Sequence, residues 1–259
     1  MPTHCPECGA HNLTAVGQGT ERVEQTLARH FPNVTMARID RDTTRTKGAM
    51  SQYISDIKND KYQLLIGTQM LAKGHHFPNL TLVAIIDMDG ALYCADFRAT
   101  ERFGQLLKQV SGRAGRENQA GTVVIQTRQP DHPLIHTLLD QSYDNFSQQL
   151  LAQRQSSSWP PFVHLALLHA EATKENKPVE FLQLIKQRLA QSHPTVTLLG
   201  PVPGLKAKRS GKYRFQLLLQ SADRSQLHGA LDYLQEAIDS EKLAKTVRWS
   251  LDVDPQDLV

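Results

Sequence analysis

Short, nearly continuous apolar runs alternate with segments of helical periodicity through the first half of the chain. Two of these runs are YQLLIGT (62–68) and LTLVAIIDMD (80–89). They contain fewer polar residues than a strand with one face in water would have. They are typical of parallel strands that are buried on both faces. Because such strands alternate here with helical segments, the first half of the chain is predicted to be an α/β lobe built on a parallel sheet.

The remaining elements of this lobe are predicted from periodicity and from helix-start signals. Thr20 is placed to cap a helix whose apolar face would carry Val23, Leu27 and Phe31. Further strands are expected at 13–17, 34–40 and 121–127, and further helices at 48–59, 98–110 and 133–154.

The pattern changes at QSSSWPPFVH (155–164), where three serines and two prolines indicate a linker. Beyond it the order of predicted elements is β-α-β-β-α-β, which is typical of a ferredoxin-like α+β sandwich. Three parts are therefore predicted: a cysteine-bearing segment at 1–12, the α/β lobe at 13–156 and a C-terminal domain at 157–259.

Composition limits the class of protein only loosely. A net charge of +3 permits a nucleic-acid partner without demanding one. The sequence has no apolar run near the roughly 20 residues that span a bilayer, so no membrane partner is expected. Three cysteines cannot build a secreted disulfide scaffold, and the expected compartment is a reducing cytoplasm.

The buried strand at 62–68 runs directly into a polar loop through Gly67, Thr68 and Gln69. Ligands bind at the carboxyl ends of parallel strands, and Gly67 would let the backbone approach a ligand closely. The alternative is an ordinary connection from strand to helix. The candidate residues for phosphate or nucleic-acid contacts in this loop are Thr68, Gln69, Lys73, Gly74 and His75.

The stretch QVSGRAGRENQAG (109–121) places two arginines, Arg113 and Arg116, three positions apart among glycines. Guanidinium groups bind phosphate oxygens with two hydrogen bonds and keep their charge. Two of them one helical turn apart can face a single phosphate, and Gly112 and Gly115 leave room for its approach. An isolated arginine pair in a glycine-rich turn is more often simply solvated.

The order GTQMLAKG (67–74) followed by QVSGRAGR (109–116) resembles motifs V and VI of the second, RecA-like lobe of superfamily 2 helicases. This resemblance implies that Arg116, with Arg113 beside it, stabilises the γ-phosphate of ATP held by the other lobe during hydrolysis. It implies that the motif V residues contact DNA. The remaining residues implied to contact nucleotide or the partner motifs are Gln109, Gly112, Gly115, Gly19 and Thr20.

The resemblance narrows to the replication-restart helicases, because family-specific blocks run along nearly the whole chain: CPECG, VGQGTERVEQTL, RIDRDTT, DGALYCADFRATERF and WSLDVDP. It implies an ATP-dependent 3′-to-5′ DNA helicase that recognises stalled or repaired forks and starts primosome assembly. The implied partners are forked and single-stranded DNA, single-stranded DNA-binding protein and other primosome proteins. ATP and Mg²⁺ are the implied nucleotide and metal of the complete enzyme.

Cys5 and Cys8 form a C-x-x-C pair, which is half of a tetrahedral zinc site. Cys94 is distant in sequence, and His4 and His11 are poorly spaced as further ligands. The resembled family binds zinc with several C-x-x-C pairs, which implies that Zn²⁺ is held by Cys5 and Cys8 with cysteines that lie upstream in a longer protein. The alternative is a pair of unliganded thiols.

The tail segment GLKAKRSGKYRFQ (204–216) combines basic residues with Tyr213 and Phe215. Aromatic rings can stack on unpaired bases while cations neutralise phosphates. The alternative is a solvated hairpin with its aromatic residues in the core, which is the stronger interpretation for Phe215. The candidates are Lys212 and Arg214 for DNA, and Arg224 for contact with single-stranded DNA-binding protein.

The sequence contains neither a G-x-x-x-x-G-K-[ST] phosphate-binding loop nor a D-E-x-H-like motif. A helicase motor holds ATP between two lobes. We therefore expect this chain to be the C-terminal part of a longer protein and to lack ATPase activity alone. Two alternatives are a dinucleotide-binding enzyme, suggested by Gly17-Gln18-Gly19 and Asp40 but lacking the third glycine, and a non-enzymatic DNA- or protein-binding module. Asp87 and Asp89, at the end of a predicted strand, are expected to orient other groups rather than bind a metal.

Overall fold

The computed structural model describes residues 19–68, 71, 77, 79–94, 96–111 and 121–258. The chain divides into two compact units. The first comprises Met1–Cys94 and Thr100–Tyr143, and the second comprises Ala95–Ala99 and Asp144–Val259. The second half of the helix that we predicted at 133–154, from Asp144 onward, therefore groups with the second unit, while its first half stays in the first unit.

The first unit is an α/β structure with parallel strand pairing, as predicted. Strand β1 pairs in parallel with β2, and β3 pairs in parallel with β4. Its elements in chain order are α1 (Thr20–His30), β1 (Met36–Ile39), α2 (Ala49–Lys58), β2 (Leu64–Gly67), β3 (Leu82–Ile85), α3 (Asp89–Leu92), α4 (Ala99–Ser111), β4 (Thr122–Ile125) and α5 (Pro133–Asp140).

The prediction that the run at 80–89 forms a strand buried on both faces is wrong. Strand β3 is only four residues long, and Leu82 on its outer face is 57% exposed. Val83 and Ile85 point the other way and pack against a buried cluster that includes Met88, just before α3, and Phe103 of α4. One face of this strand is therefore buried and the other is open.

Three predicted helix features also differ from the structure. The N-cap of α1 is Gly19, and Thr20 begins the helix without capping it. Phe31 follows the helix and is 48% exposed, so it does not continue the buried face that Val23 forms. The single helix predicted at 133–154 is divided, because Gln141 takes a non-helical conformation with φ −114° and ψ −142° and ends α5.

We expect Gly67→Ala to destabilise the first unit, because an added Cβ would lie 2.6 Å from the backbone oxygen of Ile39. The clash is with the paired strand, so strand pairing would have to shift, at a cost of about 1–3 kcal/mol. Hydrogen exchange of the β1 and β2 amides would measure this cost. Gly90→Ala is the matched control, since its nearest neighbour would lie at an ordinary 3.7 Å. Equal protection in the two variants would contradict the prediction.

The second unit confirms the predicted β-α-β-β-α-β order. Its antiparallel sheet has the strand order β6-β7-β5-β8, so the first strand lies between the third and the last. The elements are α6 (Tyr143–Ser156), β5 (His164–Ala172), α7 (Asn176–Ser192), β6 (Thr197–Arg209), β7 (Lys212–Ser221), α8 (Arg224–Ser240), a 3-10 helix (Lys242–Thr246) and β8 (Arg248–Val253).

The two faces of this sheet have different surroundings. Alternate residues of β5, such as Leu168 and Ala170, are buried with residues of α7 and α8 in the main core. On the opposite face, Leu165 and Leu167 pack near Trp159. Further along this second face the side chains become charged, and this part of the sheet carries the site described below.

Residues Asp96–Ala99 belong to the second unit although the chain on both sides of them belongs to the first. The ring of Phe97 stacks on Trp159 with centroids 5.2 Å apart and planes 8° apart. The guanidinium of Arg154 lies 5.0 Å from the centre of the Phe97 ring and donates a hydrogen bond of 3.3 Å to the Phe97 carbonyl. This short segment is therefore held by both aromatic and polar contacts.

Candidate nucleic-acid interface

A cationic cleft of about 380 Å³ lies on the sheet face of the second unit that is opposite to α7 and α8. Its position follows from strand register, because Glu171 on β5 is directly opposite Arg214 on one side and Arg248 on the other. Directly opposed residues share one face of a sheet. Lys212 lies two positions from Arg214, so it projects to the same face. The hairpin residue Arg209 completes the cationic lining.

The cations of the cleft converge on Glu171. One carboxylate oxygen lies 3.4 Å from Lys212 Nζ and 3.7 Å from Arg248 Nη1, and the other lies 3.7 Å from Arg214 Nε. Charge-assisted hydrogen bonds are usually closer to 2.8 Å, so these are loose ion pairs. Three cations share one carboxylate, and the cleft keeps an excess of positive charge.

His169 lies on the same face, two residues before Glu171 on β5. Burial, and then the charge of Arg214, lower the pKa of His169 below its ordinary value of 6.5, while Asp252 opposes this shift. The histidine is therefore held neutral at pH 7, and the positive charge of the cleft comes from its lysine and arginine side chains.

The lowered pKa of His169 predicts that the second unit loses stability as pH falls through 6.5. The unfolded chain then binds a proton that the folded chain does not, and the folded state is disfavoured. Unfolding in urea between pH 5.5 and 7.5 would measure this loss. Both tryptophans, Trp159 and Trp249, lie in the second unit, so their fluorescence reports it specifically.

His169→Gln should remove this part of the pH dependence, whereas the same change at exposed His228 on α8 should keep it. An unchanged pH profile in the His169 variant would show that another group is responsible.

The basic and aromatic residues of the 204–216 segment do not form one surface. Side chains alternate along β7, so Phe215 is buried in the helix-side core while Arg214 faces the cleft. Tyr213 packs against the same core, with Lys208 Nζ 4.4 Å from the centre of its ring. The interpretation of Phe215 as a base-stacking residue is therefore wrong, and the alternative of a core residue is confirmed.

The carboxyl ends of β1 and β2 lie side by side at one edge of the first unit, because Ile39 is paired with Gly67. Asp40 follows β1 and accepts hydrogen bonds from the Thr20 hydroxyl at 2.6 Å and from the backbone N–H of Thr43 at 3.0 Å. The Thr20 hydroxyl, followed by the Thr43 N–H, holds the pKa of Asp40 below its ordinary value. This network fixes the loop after β1 against the start of α1.

Asp89 has a comparable structural role at the start of α3, four residues after β3. Its carboxylate accepts hydrogen bonds from the Thr127 hydroxyl at 2.5 Å and from the backbone N–H of Arg128 at 2.9 Å. The Thr127 hydroxyl, followed by the Arg128 N–H, lowers the pKa of Asp89. Within the described ranges, no group of three or more histidine, cysteine, aspartate or glutamate side chains could hold a metal ion.

The other predicted site residues have the following placements. Thr68 is exposed directly after β2, Gln109 is half-buried near the end of α4, and Gly19 precedes α1. Arg224 is exposed at the start of α8, and its Nε donates to His228 Nε2 at 3.4 Å. The predicted residues outside the described part of the chain are Cys5, Cys8, Gln69, Lys73, Gly74, His75, Gly112, Arg113, Gly115 and Arg116.

Sequence reasoning missed His169, Glu171 and Arg248 as cleft residues. Each stands in a strand that was predicted, but no local motif marks them. The signal that was available is the strand order of the ferredoxin-like topology, which places the first strand between the third and the last. Aligning those strands would have brought Arg248 next to Glu171.

Two family models match consecutive parts of this chain. The helicase conserved C-terminal domain matches residues 11–118, and the primosomal protein N C-terminal domain matches residues 155–256. The parallel α/β unit and the antiparallel unit that follows it agree with this order. The fold and these matches define the class: a helicase C-terminal lobe followed by a primosomal C-terminal domain.

The chain is also similar along its length to curated replication restart proteins. It is 48% identical over 259 residues to replication restart protein PriA of Haemophilus influenzae, covering 100% of this chain and 35% of that protein. It is 37% identical over 258 residues to PriA of Bacillus subtilis, covering 98% of this chain and 32% of that protein. Along its whole length the chain therefore resembles the C-terminal region of PriA proteins, with a helicase C-terminal domain followed by a primosomal C-terminal domain.

The resemblance to replication-restart helicases that the sequence motifs suggested is thereby confirmed. The chain spans about a third of the length of these curated relatives. No helix in the part of the chain that the structure describes is both long and apolar enough to cross a membrane.

Proposed function

We propose that this chain supplies the second motor lobe and the C-terminal DNA-binding domain of an ATP-dependent 3′-to-5′ DNA helicase. The complete protein would act at stalled or repaired replication forks and start primosome assembly. The observation that carries the proposal is the 48% identity to a replication restart protein along the whole of this chain, through both units in order.

In this proposal the first unit contributes to ATP hydrolysis. Arg116, with Arg113 beside it, would stabilise charge on the γ-phosphate of ATP that is bound with Mg²⁺ on the other lobe. The residues proposed to line the nucleotide or its partner motifs are Gln109, Gly112, Gly115, Gly19 and Thr20. Because the Thr20 hydroxyl already donates to Asp40, any nucleotide contact by this residue would use its backbone or require that hydrogen bond to open.

DNA is proposed to contact both units separately. In the first unit the loop after β2 would meet the phosphate backbone, through Thr68, Gln69, Lys73, Gly74 and His75. In the second unit Lys212 and Arg214 lie in the cationic cleft, where their charge suits phosphate groups. Arg224 is proposed to contact single-stranded DNA-binding protein. Zn²⁺ is proposed to bind Cys5 and Cys8 together with cysteines supplied from outside this chain.

The test of the motor function is reconstitution. The chain is mixed with the separately produced remainder of a PriA protein, and ATP hydrolysis is measured with and without forked DNA. We expect no turnover from the chain alone and DNA-stimulated turnover from the mixture, since the ATP site needs both lobes. Turnover by the chain alone, or none in a mixture whose two parts associate, would contradict the proposal.

A second candidate function is a non-enzymatic module that binds DNA or partner proteins. The observation that favours it is that the described lining of the cationic cleft lies within the second unit alone. DNA binding by the chain that is indifferent to Arg116→Ala, together with a failure of reconstitution, would favour the module. Restored hydrolysis that is lost in the Arg116 variant would favour the motor.

A further inference from the structure

Glu171 stands at the centre of the cationic cleft, on β5, between β7 and β8, which also line it. Its neighbours across the strands are both arginines, and Lys212 Nζ lies 3.4 Å from one of its oxygens. Its side chain is 23% exposed, so the carboxylate is at the floor of the cleft, beneath the 79% exposed side chain of Arg248. An acid here is unexpected on a surface that is proposed to bind a polyanion.

The charges of the cleft are not balanced by this carboxylate. Among the described residues that line the cleft, four are cationic, Arg209, Lys212, Arg214 and Arg248, and one is acidic, Glu171. The ion-pair distances of 3.4–3.7 Å are long for charge-assisted hydrogen bonds, so these pairs are weak enough for a second anion to replace Glu171. A phosphodiester shares one negative charge between two oxygens, as a carboxylate does, and would meet the same donors in a similar arrangement.

We propose that Glu171 is an internal competitor of DNA phosphate: it occupies Lys212, Arg214 and Arg248 in the unbound protein and gives them up when a phosphodiester enters the cleft. This inference rests on the proposed function, in which the second unit binds DNA. Glu171 and a phosphate repel one another, so both cannot keep the same three cations. Binding therefore exchanges one ion pair for another, and this exchange weakens the affinity of the cleft.

The first test removes the charge of the Glu171 side chain. Glu171→Gln keeps the shape of the side chain and frees the cations, so binding of a fluorescent oligo(dT) strand should tighten by about five-fold, the size of a weak ion pair. The dependence of affinity on salt should become steeper by about 0.7, the value for one added single-strand phosphate contact. Glu236→Gln is the matched control, because it makes the same charge change at an exposed site on α8.

Competition at specific cations is separated from a general charge effect by a double-mutant cycle. If Glu171 withholds Arg248 from phosphate, the gain from Glu171→Gln should be smaller when Arg248→Gln is already present. A gain of equal size in both backgrounds, an equal gain in the Glu236 control, or weaker binding by Glu171→Gln would overturn the proposal. Weaker binding would instead make Glu171 a support that holds the cations in place.

A measurement on the unmodified chain keeps the test decisive if the Glu171 variant does not fold. The NMR signals of the Glu171 carboxyl carbon and of Arg214 Nε–H should both shift as oligo(dT) is added. DNA binding without a shift at Glu171 would overturn the exchange alone and leave the proposed DNA-binding function intact. If the wild-type chain binds no DNA, the proposed function of this domain and the inference built on it are both wrong.

Discussion

Replacing Arg116 by alanine in the complete protein is expected to lower DNA-stimulated ATP hydrolysis by a factor of about 10³ to 10⁵, the range for loss of an arginine finger. The guanidinium stabilises charge that develops as the γ-phosphate is transferred, so its loss raises the barrier to hydrolysis. The turnover rate at saturating ATP and forked DNA would measure the effect. Arg116→Lys should restore little activity, because an ammonium cannot make the forked contact.

The matched control for this prediction is Arg29→Ala, which removes one exposed arginine from the same unit at the end of α1. It should hydrolyse ATP at the wild-type rate. DNA affinity without nucleotide should be nearly equal in both variants, since the proposed role of Arg116 concerns ATP. A rate within ten-fold of wild type for Arg116→Ala would remove this residue from the proposed catalytic role.

Removing all three cations that converge on Glu171 is expected to weaken oligo(dT) binding by about 100-fold at low salt. The variant combines Lys212→Gln, Arg214→Gln and Arg248→Gln, and the estimate takes about 1 kcal/mol for each lost contact. The slope of log affinity against log salt should fall by about 2, at roughly 0.7 for each single-strand phosphate contact. A fluorescence titration over a series of salt concentrations measures both quantities.

A control with the same change in net charge separates the cleft from the overall field of the protein. Lys174, Lys242 and Lys245 are exposed in the same unit, outside the lining of the cleft, and their triple glutamine variant makes that change. It should lose much less affinity and nearly keep the wild-type slope. Equal losses in the two triple variants would mean that the cleft is not a specific DNA contact.

The element order of the C-terminal domain is readable from sequence because its strands and helices have strong, separate periodicities. Strand β5 was predicted with its observed limits, His164 to Ala172. Strand β6 was predicted to end at Gly200 but continues to Arg209. The glycines and prolines in 200–204 indicate a break. At the edge of a sheet, however, prolines are tolerated, and β6 is an edge strand.

The cleft itself was only half predictable. Lys212 and Arg214 were found because they lie in one basic segment. The same segment also suggested Phe215 as a base-stacking residue, but side chains alternate along β7 and Phe215 lies on the core side. Glu171 and Arg248 are far apart in sequence and meet only through the sheet register. A local sequence motif cannot show such a pairing. Glu171, whose charge opposes that of the cleft, can therefore be assigned to it only once the strands are aligned.

The position of residues 95–99 has a consequence for how this protein can be divided. The chain enters the second unit for a few residues, returns to the first, and crosses again at 143/144. The second unit is thus not one continuous segment of the chain, and no single cut in the backbone separates the two units. A fragment that begins at Asp144 would keep Trp159 and Arg154 but lose the ring of Phe97 that both of them contact. A domain boundary drawn at one position of the sequence would therefore leave residues 95–99 with the wrong unit.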